Sequence, residues 1–270
     1  GLRTEIAENF IEQMKDVFPT RGMGIWKGQY GDIKLGWDSP VKDPVNPAYM
    51  NLNDRGGIGW LKGFNEWIVR CGINSMGAPG SDTVLDYSGN ELEVSLNLHG
   101  NIANIPARAV SVEVSDEAIA VKGEVDETMM FGYALRLNTE IRTELTSGRM
   151  TIQDTVTNIA DNPAEHQLLY HINYGEPLLE KGARMLTPFK QVAPRDPRAA
   201  EGIENFDLYT APEQGFIEQA YFYELVGKRD SKETITMLRN AAGNQASVVR
   251  FSLKDFPCFT LWKNPAGKAD

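Results

Sequence analysis

Residues 131–145 alternate with a period of two over almost their whole length. Leu135, Leu137, Thr139, Ile141, Thr143 and Leu145 fall on one side; Arg136, Asn138, Glu140, Arg142 and Glu144 fall on the other. A helix would scatter these residues around its axis, whereas a strand with one wet face collects them. The same rhythm runs through 107–115, 118–127 and 149–158, with Ser115-Asp116-Glu117 and Thr146-Ser147-Gly148 at two of the breaks. These are turn-forming residues. Four consecutive strands with one polar face make an antiparallel meander, and any fold for this chain has to accommodate it.

The rest of the chain keeps to that pattern. Gly31-Asp32 sits between alternating stretches at 21–28 and 29–37 and predicts a hairpin. Residues 63–72 read as a strand closed by glycine, 91–100 as another, and 183–186 as a short one. Further strands are expected at 217–225, 233–239, 247–254 and 257–263. Residues 38–63, 74–90 and 188–216 read as loops or irregular connections. Residues 1–20 carry a short helical pattern, Ile6, Phe10, Ile11 and Met14, that does not choose between helix and strand. Strands at short intervals without long helices argue for an all-β fold, a large antiparallel β-sandwich in a single domain over 1–270.

Composition narrows the function. The formal net charge of -10 disfavours nucleic acid and anionic membranes as partners. No 18-residue apolar run exists to span a bilayer. The two cysteines, Cys71 and Cys258, show no metal or disulfide spacing. They read as buried reduced thiols, which suits a cytoplasmic protein. No three-ligand metal cluster, GxSxG or phosphate loop is visible, so no metal or other cofactor is expected. Nothing fixes an oligomeric state.

The chain has three histidines. His171 lies in Tyr170-His171-Ile172-Asn173-Tyr174-Gly175, where strand geometry puts His171 and Asn173 on one face and Tyr170 and Tyr174 on the other. An imidazole exchanges protons near neutral pH. His99, in Leu98-His99-Gly100, ends a strand at a sheet rim, and His166 reads as a turn or edge residue. Trp60 follows Gly56-Gly57-Ile58-Gly59. It is a candidate for stacking on a ligand, because a packing role does not require so glycine-rich a loop.

These segments together resemble the galactose mutarotase (aldose 1-epimerase) superfamily. The resemblance rests on Leu98-His99-Gly100, on Asp154-Thr155-Val156-Thr157-Asn158 followed by Pro163, and on His171-Ile172-Asn173-Tyr174. Arg21-Gly22-Met23, Gly63-Phe64-Asn65-Glu66 and Cys71-Gly72 are similar to its branch DUF4432. What the resemblance implies is a galactose mutarotase-like supersandwich that binds a small sugar and interconverts its α and β anomers. His171 would be the general acid, His99 would hydrogen-bond the sugar, and Arg70 would match a substrate-binding arginine. Candidate substrate contacts are then Arg70, Arg21, Asn65, Glu66, Trp60, Asn173, Glu176 and Glu218. The superfamily's general base is a glutamate after the last long strand. No matching motif follows Phe259-Thr260-Leu261-Trp262-Lys263-Asn264, so that glutamate is expected beyond a truncated C-terminus, with Glu66, Glu176 and Glu218 as alternatives. A sugar-binding protein without turnover, or a sugar enzyme of different chemistry, would share the same fold.

Overall fold

The computed structural model describes residues 17–267. The helical pattern at Ile6, Phe10, Ile11 and Met14 lies outside them. The chain divides into two compact units, one ending at Asn173 and the other beginning at Tyr174.

The first unit holds two four-stranded antiparallel sheets. One contains β1 (Val17–Phe18), β2 (Gly24–Ile25), β5 (Ile68–Ile73) and β12 (Gln167–Ile172) in that spatial order. The other is the meander: β8 (Ala109–Val114), β9 (Ala118–Thr128), β10 (Ala134–Glu144) and β11 (Met150–Asn158). Its register sets Leu137 between Val125 and Val156, and Ile141 between Val121 and Ile152. Leu135, Leu137, Thr139 and Ile141 are buried. The opposite face carries cross-strand pairs such as Arg136 Nε with Asp126 Oδ1 at 2.7 Å. Such solvated pairs contribute little, so the apolar face holds the sheet.

Two hairpins complete this unit. β3 (Gly28–Tyr30) and β4 (Ile33–Leu35) turn at Gly31-Asp32 as the sequence predicts, but over a shorter span than 21–37. β6 (Gly80–Leu85) pairs with β7 (Glu91–Leu96). β6 falls inside the expected 74–90 loop. All six of its residues are exposed, so it has no buried face to impose alternation.

In the second unit β13 (Arg184–Leu186), β16 (Glu233–Arg239) and β17 (Ala246–Ser252) form one sheet. β14 (Phe189–Pro194), β15 (Gln219–Leu225) and β18 (Phe259–Lys263) form another. Leu178, Tyr209, Tyr221, Tyr223, Leu225, Leu238 and Leu261 make its core. β14 corrects the expectation of an irregular 188–216: it is an edge strand, where Pro194 is tolerated because it need not donate to the ladder. Cys71 is buried as expected, whereas Cys258 is exposed. Among the described residues no helix is long and apolar enough to cross a membrane.

Candidate functional site

The site forms where β5 and β12 lie side by side. Their register pairs His171 with Val69 and Tyr170 with Arg70. Alternation then sorts the side chains. Val69, Cys71 and Leu169 pack with Trp60, Phe64 and Ala103 on one face, and the His171 ring joins them, 5.3 Å from the Phe64 ring centroid. Arg70 and Tyr170 leave by the other face and reach Asp154 on β11. The expected strand at 63–72 is really 68–73; residues 63–67 lead into it without strand pairing, and the Phe64 ring meets the imidazole edge to face.

His99 reaches the same place from a turn after β7. Its φ is +62°, uncommon for a residue with a side chain. Gly72 N–H donates to His99 O at 3.0 Å, and His99 N–H donates to Gly77 O at 2.8 Å. Two glycines make this approach possible. A Cβ on Gly72 would lie 2.2 Å from Gln167 O, and one on Gly100 would lie 2.0 Å from Ser75 O. Backbone held in such a conformation survives when its surroundings over-determine it, and such strain clusters at functional sites.

The two imidazoles meet edge to face with centroids 5.5 Å apart. Trp60 lies 5.0 Å from His99 and 6.3 Å from His171. His99 Nδ1 and Trp60 Nε1 are buried without a protein partner among the described residues. Buried polar atoms are ordinarily satisfied, and these two lie on neighbouring rings of one cluster. Burial lowers the pKa of His99. His171 is lowered to about 4, first by burial and then by His99, with a hydrogen bond that the imidazole donates to Asn173 pushing back. Both rings are therefore neutral at pH 7.

The other candidates separate into groups. Trp60 stays with the histidines, but at 1% exposure its face is covered by protein, so it does not offer an open stacking platform. Asn173 braces the end of β12, donating through Nδ2 to Glu66 O at 3.0 Å and through its backbone to Trp67 O at 2.8 Å. Arg21 and Glu66 form a buried ion pair, Nε to Oε1 2.7 Å. The second Glu66 oxygen accepts from Asn65 N–H, and Asn65 Nδ2 holds the carbonyls of Val41 and Asp43. Arg70, 1% exposed, donates to Asp154, Thr139 Oγ1 and Met23 O. Its fork is used inside the protein, on the face of β5 opposite Val69 and Cys71. Glu176 is exposed. Glu218 belongs to the second unit, where it accepts from Arg195 at 2.8 Å and Trp262 Nε1 at 2.7 Å. His166 is exposed, as a turn residue should be.

The model of the domain-of-unknown-function family DUF4432 matches residues 9–269. The chain belongs to the DUF4432 family. Among solved structures, this DUF4432 chain is similar to a Klebsiella pneumoniae subsp. pneumoniae MGH 78578 protein described as a candidate aldose 1-epimerase. The two share 36% identity with a TM-score of 0.84, over 92% of this chain and 63% of that one. The DUF4432 chain thus spans somewhat under two thirds of that protein's length. A search of curated proteins finds no match. The likeness makes the DUF4432 fold that of the galactose mutarotase-like superfamily, a large antiparallel β-sandwich.

Four residues missed in the sequence matter here: Phe64, Glu127, Asp154 and Tyr170. Two had a readable signal. Glu127 falls in step with Val121 and Val125, and Asp154 with Ile152 and Val156, so each puts a carboxylate on the apolar face of the meander. A buried charge has to find partners.

Proposed function

We propose that this chain binds a small sugar at His99 and His171 and interconverts its α and β anomers. The observation that carries the reading is the histidine pair itself, two neutral imidazoles 5.5 Å apart with the His99 Nδ1 and Trp60 Nε1 positions unsatisfied. His171 gives a proton to the ring oxygen while a carboxylate takes the proton of the anomeric hydroxyl. The bond between C1 and the ring oxygen breaks, the C1 carbonyl turns, and closure returns both protons. His99 holds a sugar hydroxyl by hydrogen bonding.

Acid and base in such a step must hold different protonation states. His171 alone is neutral, and a negative charge within about 4–6 Å raises an imidazole pKa. The charge of the carboxylate base is therefore also what raises the His171 pKa, so that solvent supplies the proton the ring then donates. Glu66 is committed to Arg21, so the base comes from elsewhere. The free thiols of Cys71 and Cys258 are in keeping with a cytoplasmic protein.

A second reading is a sugar-binding protein without turnover, which the neutral resting state of both rings favours. An anomer-exchange assay by NMR or polarimetry across a sugar panel separates the two. Acceleration that disappears in His171→Asn supports the isomerase; binding without acceleration of any sugar would leave only the second reading.

A further inference from the structure

Glu127 sits near the end of β9, on the meander, and is 2% exposed. One carboxylate oxygen accepts from Ile73 N–H at 2.8 Å, at the last residue of β5. The other accepts from Asn101 Nδ2 at 3.2 Å and from the Tyr133 hydroxyl at 3.3 Å. Asn74 N–H is a further donor. Asn101 stands two residues after His99; its N–H is bound to Gly72 O, and its Oδ1 accepts from Asn97 Nδ2 at 3.0 Å. The carboxylate thus ties the end of β5 and both sides of the His99 turn to a different sheet.

We propose that Glu127 is the positioning residue of the His99 turn, fixing where that imidazole meets the sugar. The part concerning the sugar rests on the reading above; the part concerning the ring does not. Every partner of Glu127 is a neutral donor. A buried carboxylate without a cation is costly, and burial accordingly raises its pKa. A neutral amide could not replace it, because an amide nitrogen donates and does not accept. In Glu127→Gln an NH₂ group would confront either backbone N–H groups or the Asn101 amide. A left-handed His99 needs such over-determination to keep its place.

The test uses protein labelled at histidine Cε1, with His99, His166 and His171 resonances assigned by single substitutions. Glu127→Gln moves the His99 resonance and leaves His166 unchanged. It lowers anomer exchange on the order of tenfold, as a displaced sugar contact would. Adding Asn101→Asp to Glu127→Gln reverses the polarity of the contact. The amide introduced on β9 then donates to the carboxylate introduced on the turn, and the His99 resonance is restored. An unmoved His99 resonance in folded Glu127→Gln, or no recovery in the double variant, overturns the proposal. If Glu127→Gln does not fold, Asn101→Ala cuts the arm to the turn, together with the Asn97 contact, leaves Ile73 and Tyr133 on the carboxylate, and is held to the same outcome. A wild-type protein that exchanges no anomers yet shows the His99 shift refutes the reaction and leaves the positioning role standing. Exchange by the wild type with no shift in the variant does the reverse.

Discussion

Arg70 on β5 and Asp154 on β11 are joined across the two sheets of the first unit, with Nη2 2.9 Å from Oδ1 and both side chains almost wholly buried. Tyr170, next to His171, donates its hydroxyl to the same carboxylate. Asp154 is held below the usual carboxylate range by Arg70 against the pull of burial. Removing one partner leaves a buried charge uncompensated, which costs about 3–5 kcal/mol, whereas removing both is often nearly neutral. Arg70→Met is therefore expected to lower urea stability by that amount, and Arg70→Met with Asp154→Leu to regain most of it. An Arg70→Met protein as stable as wild type, but weaker for sugar, would return Arg70 to the sugar site.

Gly72 links the two histidines more directly. It pairs with Leu168 on β12 and donates to His99 O. Its φ is +134°, and a Cβ would strike Gln167 O. Both obstacles are backbone, so Gly72→Ala is expected to cost at least about 2 kcal/mol. Gly31→Ala is the comparison: its φ is +57° but open space surrounds it, so only about 1 kcal/mol is expected. Equal losses in denaturant titrations of the two variants would refute the close-packing argument.

The meander was legible because one face is buried and the other wet, so composition reports on every residue. β6 was illegible for the opposite reason, since none of its residues is buried. His99 and His171 could be associated only through family resemblance, because the long stretch of chain between them hides the contact between a strand and a distant turn. Arg70 shows the reverse failure. Its position suits a sugar ligand, but alternation along β5 sends it away from His171, and Asp154 on an apolar face was the clue to where it goes.

The arginines also bear on which sugar fits. Arg21 is paired with Glu66 and Arg70 with Asp154, and both imidazoles lack charge at pH 7. A sugar carboxylate entering there would lose its hydration without gaining a guanidinium, and would compete with the carboxylate base for His171. Neutral aldoses are expected to exceed the matching uronic acids in kcat/KM by at least about tenfold. Faster exchange of the uronic acid would show that another cation serves the site.

Acid should destabilise the protein through His171 in a defined window. Its pKa falls from an ordinary 6.5 to about 4 on folding. Between those values the unfolded chain holds a proton that the folded chain excludes, so stability falls as pH drops from about 6.5 to about 4. The full shift corresponds to at most about 3 kcal/mol, and His99 acts in the same direction. Above pH 6.5 neither ring contributes a slope. The lowered pKa of Asp154 acts in its own window, as pH falls below the ordinary 3.8, so the effects are separable. Urea titrations at half-unit steps from about pH 7 to about 4.5 should give wild type a steeper loss than His171→Asn, which has no imidazole on β12 to titrate. Parallel curves for the two proteins would mean that His171 is not held neutral by folding, and the electrostatics of the site would have to be reassigned.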